Sequence, residues 1–282
     1  MPKSISALET MPVSRFARQT RWLLILLAGA VLAFLYIPIA FLILFSFETA
    51  DTPGLPITGL TLRWYQQMLV DNAIQTAVLN SIEVAVIVTI IATVVGTMAA
   101  FSLVRGGIRA PGTFRLAFTM PIMIPGALIG LGLLIFFRQA LHLELGLHTV
   151  VAGHLVFTIP FVVLIVAARL QGFDRRLEWA AADLGASNWQ TLRHIVLPLI
   201  APAILAGALL CITLSIDEFV ITFFTIGPQQ TLPVFIYTQI KFGVTPEVNA
   251  VATVILVTTL GAFFIGSLLL TGGRRLRSRG HR

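Results

Sequence analysis

Three carboxylates stand where water is scarce. Glu83, Asp217 and Glu218 lie within or at the edge of long apolar runs, and Phe219, Phe223, Phe224 and Tyr237 follow the last two. An ionised carboxylate at the centre of a bilayer costs at least ~2.5–3.5 kcal/mol on insertion scales. No Lys or Arg in the runs that carry these acids offsets that cost. Such a group is protonated, faces water, or meets a cation from outside. Carboxylates and aromatic faces are the side-chain surfaces that hold ammonium groups, by charge and by the ring quadrupole. Asp217 and Glu218 are adjacent, so about 100° apart on a helix, and they cannot both point one way. One is expected to face a pathway and the other a partner chain. The competing reading is structural, with the acids pairing across helices or with backbone near an unwound turn.

Other chemistry is missing. The sequence holds no G-x-x-x-x-G-K-[ST] phosphate loop, no G-x-S-x-G and no H-E-x-x-H. Cys211 is the single cysteine, which excludes an internal disulfide framework and every multi-Cys metal site. His142, His148 and His154 fall near the outer ends of two apolar runs and are expected to be solvated rather than ligands. No catalytic residue, metal ligand or cofactor is assigned, and the chain is not expected to be an enzyme.

The elements that must position the acids follow from composition. Of the 282 residues 57% are hydrophobic and 11% charged, against about 25% charged in an ordinary soluble domain. This is an all-α integral membrane chain. Runs long enough to span occur at about 22–47, 77–104, 114–137, 148–170, 199–225 and 249–271. The first follows a lead of about 21 residues and exceeds the length of a cleavable signal core, so it reads as a retained anchor. All of the 19 Lys and Arg except Arg63, Arg138 and Lys241 fall on one side of these six spans. The positive-inside rule places that side, and both termini, in the cytoplasm. The chain therefore divides into a tail at 1–21, a six-span region at 22–271 and a basic tail at 272–282. Those cations suit anionic lipid and topology, not nucleic acid. A short surface helix is predicted near Trp64 to Leu69. Pro38, Pro121, Pro125 and Pro160 interrupt helix hydrogen bonding in or beside spans. Gly126 and Gly130 form a small-xxx-small pair suited to close helix contact.

One segment between spans, about 171–198, is unusually built. Asp174 can cap a helix on which Leu177, Ala181 and Leu184 share a face. Gly185 fits a left-handed stop. Ser187 and Gln190 have capping-box spacing, so a second helix begins near Asn188 with Trp189, Leu192 and Ile195 or Val196 as its apolar stripe. Pro198 marks the entry to the fifth span. This helix–Gly–helix unit is too short to bury a core alone. Its apolar stripes need cover, either from the underside of the membrane region or from a separate cytoplasmic protein.

The pattern Glu178, Ala180, Ala181, Gly185, nine residues, Ile195, Val196, Leu197, Pro198 resembles the EAA loop of binding-protein-dependent ABC import permeases. Spacing matches from Gly185 onward. At the start the sequence departs from the pattern, because Trp179 occupies the position of the family's Glu and Glu178 precedes it. "NSIEVA" at 80–85, "SIDEFVITFFTIGP" at 215–228 and "TLPVFIYTQIKFGVTPEVNA" at 231–250 are similar to the spermidine/putrescine subgroup. The resemblance implies a type I ABC importer permease fold in a bacterial inner membrane. It implies a coupling helix made by Glu178, Trp179, Ala180, Ala181, Gly185, Trp189, Ile195, Leu197 and Pro198, seated in an ATP-binding subunit that holds ATP and magnesium. It further implies a second six-span permease, two ATP-binding subunits and an external solute-binding protein. The solute is then a small cation, a polyamine or another amine compound such as an opine or aminophosphonate, passing Asp217, Glu218, Glu83, Phe219 and Tyr237. A gradient-driven secondary transporter is the alternative from another class; no internal repeat of the kind common in such folds is visible.

Overall fold

The computed structural model describes residues 15–106, 111–243 and 245–261. The described residues form α1 (Arg15–Phe45), α2 (Arg63–Val70), α3 (Asn72–Arg105), α4 (Pro111–Met123), α5 (Gly126–Ile135), α6 (Leu147–Gln171), α7 (Arg176–Asp183), α8 (Asn188–Thr191), α9 (Leu197–Asp217), α10 (Val220–Thr225), α11 (Leu232–Phe242) and α12 (Pro246–Gly261). They fall into two compact units, Met1–Leu69 with Gly243–Arg282, and Val70–Phe242.

In the first unit α1 begins at Arg15, so part of the expected tail is already helical. The predicted surface helix is α2. The connection before it is organised by Glu48, whose side chain is buried. Its carboxylate accepts from the Thr58 hydroxyl at 2.6 Å and from the N–H groups of Thr58, Thr49 and Ala50. The Thr58 hydroxyl leads in holding this carboxyl below its ordinary range, against the opposing effect of burial, and the three amides add to it. That support is present above the ordinary carboxylate pKa and is lost as pH falls through the lowered value. Trp64 Nε1 donates to the Glu48 carbonyl at 2.6 Å and ties α2 to the same point. The continuation of the sixth span to 271, the first 14 residues of the leading tail and the basic tail at 272–282 lie outside the described residues.

In the second unit α3, α6 and α9 pack on one another. Lipid offers no hydrophobic drive between helices, so fit and close approach hold them. The buried face of α3 carries Ile74, Val84 and Val88 in its first half and only small residues, Ala92, Gly96 and Ala100, in its second. A Cβ at Gly96 would lie 2.6 Å from the Val162 Cβ on α6, so only glycine allows this crossing. Val162, Val166 and Ile200 complete the core there.

Two expected spans are not continuous. The 114–137 run breaks between α4 and α5 with a bend of 96°. Pro125 starts α5 without an N–H, and the residue before a proline is driven out of the helical region. The 199–225 run stops at Asp217, where Glu218 turns extended (ψ 106°), and resumes as α10. Four described helices, α1, α3, α6 and the Asn188–Asp217 helix, are each long and apolar enough to cross a membrane, and the α4–α5 pair is a fifth candidate.

The two breaks face each other. A Cβ at Gly130 of α5 would lie 2.7 Å from Phe224 and 3.3 Å from the Ile221 Cα, and one at Gly153 of α6 would lie 2.8 Å from Ile221 Cγ2. Of the Gly126/Gly130 pair, Gly130 makes the predicted close contact, with the half-helix α10 as its partner, while a Cβ at Gly126 would lie an ordinary 3.8 Å from Val220. Half-helices at membrane depth occur where they are buried in protein or line a water-filled cavity.

Candidate functional site

The 174–198 segment folds as the sequence predicts. Asp174 Oδ1 accepts from Arg176 N–H at 3.0 Å and starts α7. At its end Gly185 adopts φ +80°. Ala186 N–H reaches back to the Ala181 carbonyl and Gly185 N–H to that of Ala182, the paired bonds of a Schellman stop. Ser187 and Gln190 exchange the two bonds of a capping box at 2.8 and 3.3 Å. From Asn188 the helix runs without interruption to Asp217. A π turn at Leu192–Val196 absorbs Pro198, which cannot supply the regular hydrogen bond.

Burial sorts the predicted docking residues. Ala181 and Val196 are buried within the unit, while Ile195 and Leu197 are half-buried. Ala180, Gly185 and Pro198 are exposed. Trp179 and Trp189 are each 65% exposed and Leu184 is 89% exposed. The stripe expected to combine Leu177, Ala181 and Leu184 is therefore covered only at Ala181. The chain leaves two tryptophans and two leucines of this hairpin bare.

Glu178 has a partner that sequence reasoning missed. It forms an ion pair with Arg105, at the last residue of α3. The Arg105 guanidinium also lies over the rings of Phe101 and Phe173, at 5.5 and 5.3 Å. Glu178 therefore spends its charge inside the chain and fastens α7 to α3, while the neighbouring Trp179 points its ring outward. A charge-assisted hydrogen bond contributes about 1.5–3 kcal/mol. Glu178→Gln is accordingly expected to raise hydrogen exchange of the α7 amides roughly ten- to hundredfold. The double exchange Arg105→Glu with Glu178→Arg should restore most of that protection, and failure to do so would mean that the pair does not hold α7.

The acidic set divides as follows. Glu218 Oε1 accepts from Ile221 N–H at 2.9 Å and caps α10, and its carbonyl accepts from the Thr222 hydroxyl at 2.7 Å. It serves the unwound turn, as the structural alternative had it. Asp217 is exposed and makes no such contact among the described residues. Phe219 and Tyr237 sit with ring centroids 4.8 Å apart, and Phe223 closes the cluster at 5.6 and 5.7 Å. Asn80 donates to the Gln230 carbonyl and Ser81 accepts from Leu232 N–H, which anchors the start of α11 and so of Tyr237 on α3. Glu83 does not join the cluster. It lies on an exposed side of α3, away from buried Ser81, Ala85 and Val88.

His154 corrects an expectation. It is not solvated but 1% exposed, with Nδ1 2.8 Å from the Ser215 hydroxyl and Nε2 2.8 Å from the Thr222 hydroxyl. Polar side chains such as Ser215 and Thr222 inside an apolar run were the only signal for it.

Apolar helices of membrane length, two of them interrupted, with charged groups beside the interruptions, are the layout of a multi-pass membrane transport component. The comparison with known proteins makes this specific. The chain belongs to the family of inner membrane components of binding-protein-dependent transport systems, whose profile matches residues 92–277. It is similar to the spermidine/putrescine transport system permease protein PotC of Escherichia coli (strain K12), 39% identical over 232 residues, covering 82% of this chain and 87% of that one. It is also similar to the putrescine transport system permease protein PotI of the same strain, 35% identical over 280 residues, covering 96% and 97%. Among solved structures, a bacterial ABC transporter involved in the import of the acidic polysaccharide alginate shares the fold, with a TM-score of 0.71 at 17% identity, covering 92% of this chain and 99% of that one. The expected ABC importer permease fold is thus borne out, as is the place in the inner membrane. A fold shared with a chain from an importer of acidic cargo does not itself select a cation, so selectivity rests on side chains.

Proposed function

We propose that this permease forms half of a pathway for a polyamine, putrescine or spermidine, and is driven by separate ATP-binding subunits that dock on the 174–198 hairpin. The observation that carries the solute reading is Asp217, an uncompensated acid at the break in the fifth span, two residues from the Phe219–Phe223–Tyr237 rings. A diamine or triamine offers a positive charge to this carboxylate, which has no ion pair among the described residues. The named relatives transport such solutes, which supports the same reading. Bare Trp179, Leu184 and Trp189 support the docking reading, since tryptophan is a common anchor at protein interfaces. A second permease would cover the exposed side of α3 with Glu83, two ATP-binding subunits would hold ATP and magnesium, and an external binding protein would deliver the solute.

The test is ATP-driven uptake in vesicles holding the full assembly. Labelled putrescine or spermidine should accumulate, and unlabelled polyamine should compete in preference to an opine or an aminophosphonate. Uptake that those zwitterions block and polyamines do not would overturn the solute reading.

A further inference from the structure

The interruption after Asp217 is held by one buried side chain. The Thr222 hydroxyl has a single proton, and it goes to the Glu218 carbonyl at 2.7 Å. Toward His154 this oxygen can therefore only accept, so Nε2 carries the hydrogen. In the neutral ring Nδ1 is then the acceptor, and the Ser215 hydroxyl donates to it. The result is a directed chain from Ser215, in the last turn of α9, through His154 on α6 to Thr222 in the first turn of α10, ending on the Glu218 carbonyl. It closes over the residues that leave helical geometry. A carbonyl freed by the break would otherwise be buried without a partner. Chains of this kind polarise in series, so losing one link weakens the rest.

The two sides of the break lie in one compact unit but are held by different neighbours, α9 packing on α3 and α6 and α10 on α5 and α6. α10 is fixed to its surroundings by the close approaches at Gly130 and Gly153, and by the Thr149 hydroxyl, whose one proton is shared between the Thr225 carbonyl at 2.7 Å and the Gly146 carbonyl at 2.8 Å. α9 is the far end of the uninterrupted helix that starts in the 174–198 hairpin. A displacement of that hairpin would arrive at Asp217, whereas Phe219 and Phe223 stay with α10.

We infer that His154 is a positioning residue that latches the end of α9 to α10 and so sets where Asp217 stands relative to the Phe219–Phe223–Tyr237 rings. The inference draws its functional meaning from the transport reading above, yet the latch itself can be tested without any solute. The assembled transporter in nanodiscs is compared with Ser215→Ala, which removes one donor and little volume, and with His154→Leu, which keeps most of the volume and no polar atom. Hydrogen exchange of the 216–222 amides should rise about fivefold in each, the equivalent of one neutral buried hydrogen bond of about 1 kcal/mol. The α3 amides around Ala92 should not change. The double variant should exceed His154→Leu by little, because both remove the same chain. His154→Asn, which keeps an acceptor near Nδ1, should recover part of the protection. Stimulation of ATP hydrolysis by loaded binding protein should fall by a similar factor while basal hydrolysis holds. Unchanged exchange at 216–222 in Ser215→Ala overturns the latch, even if His154→Leu does not fold. A wild-type assembly that no polyamine-loaded binding protein stimulates counts against the solute reading alone, since exchange still decides the latch.

Discussion

Replacing Gly185 with valine is expected to leave the protein inserted and assembled with its partner permease but to lower solute-coupled ATP hydrolysis about tenfold. Gly185 sits at φ +80° with open space around the position where a Cβ would be, so the substitution meets no clash. Its effect is conformational. A left-handed residue with a Cβ costs about 1–2 kcal/mol, and a β-branched one is the least tolerant. The Schellman bonds at Gly185 and Ala186 would open, and α7 would no longer hold its angle to the helix that starts at Asn188. Gly185→Asn is the matching control, because asparagine accepts the left-handed region; it should retain most of the coupled rate. Equal rates in the valine and asparagine variants would separate the turn from the coupling function.

Asp217→Asn is expected to raise the KM for polyamine uptake roughly ten- to hundredfold, with assembly unchanged. The substitution keeps shape and removes charge. The carboxylate makes no contact among the described residues that folding would lose. The expected range is the 1.5–3 kcal/mol of a hydrogen bond to a charged group. Glu218→Gln should behave differently, because an amide oxygen still accepts from Ile221 N–H and the α10 cap survives. Its KM should move little. Uptake kinetics that stay at wild-type values in Asp217→Asn would take that residue out of the pathway.

The parts of the structure legible in the sequence are those set by local chemistry. Gly185, the Ser187/Gln190 box and Asp174 each act within four residues, and all three stand where the spacing placed them. The α2 helix and the membrane-length runs follow from composition in the same way. The breaks were less legible. Pro121 and Pro125 announced an interruption but not a 96° bend. Nothing in "SIDEFV" distinguishes a helix that ends at Asp217 from one that continues to Thr225. That ending depends on Glu218 capping the next half-helix and on His154 collecting the freed groups, and His154 is 61 residues from Ser215 and 68 from Thr222 in sequence. The Arg105–Glu178 pair is hidden for the same reason, with 73 residues between its members. The bond from Ile221 N–H to Glu218 Oε1 was likewise not legible, because it exists only where the helix has already broken.

The central claim is that the 174–198 hairpin is a docking plug for a separate ATP-binding chain. Its most direct measurement is crosslinking in intact membranes from a background in which the lone Cys211 is replaced by alanine. Single cysteines at Trp179, Leu184 and Trp189, each carried with a short photoactivatable reagent, should capture the ATP-binding subunit, and ATP should change the yield. Capture of lipid or of the permease alone from all three positions would contradict the account.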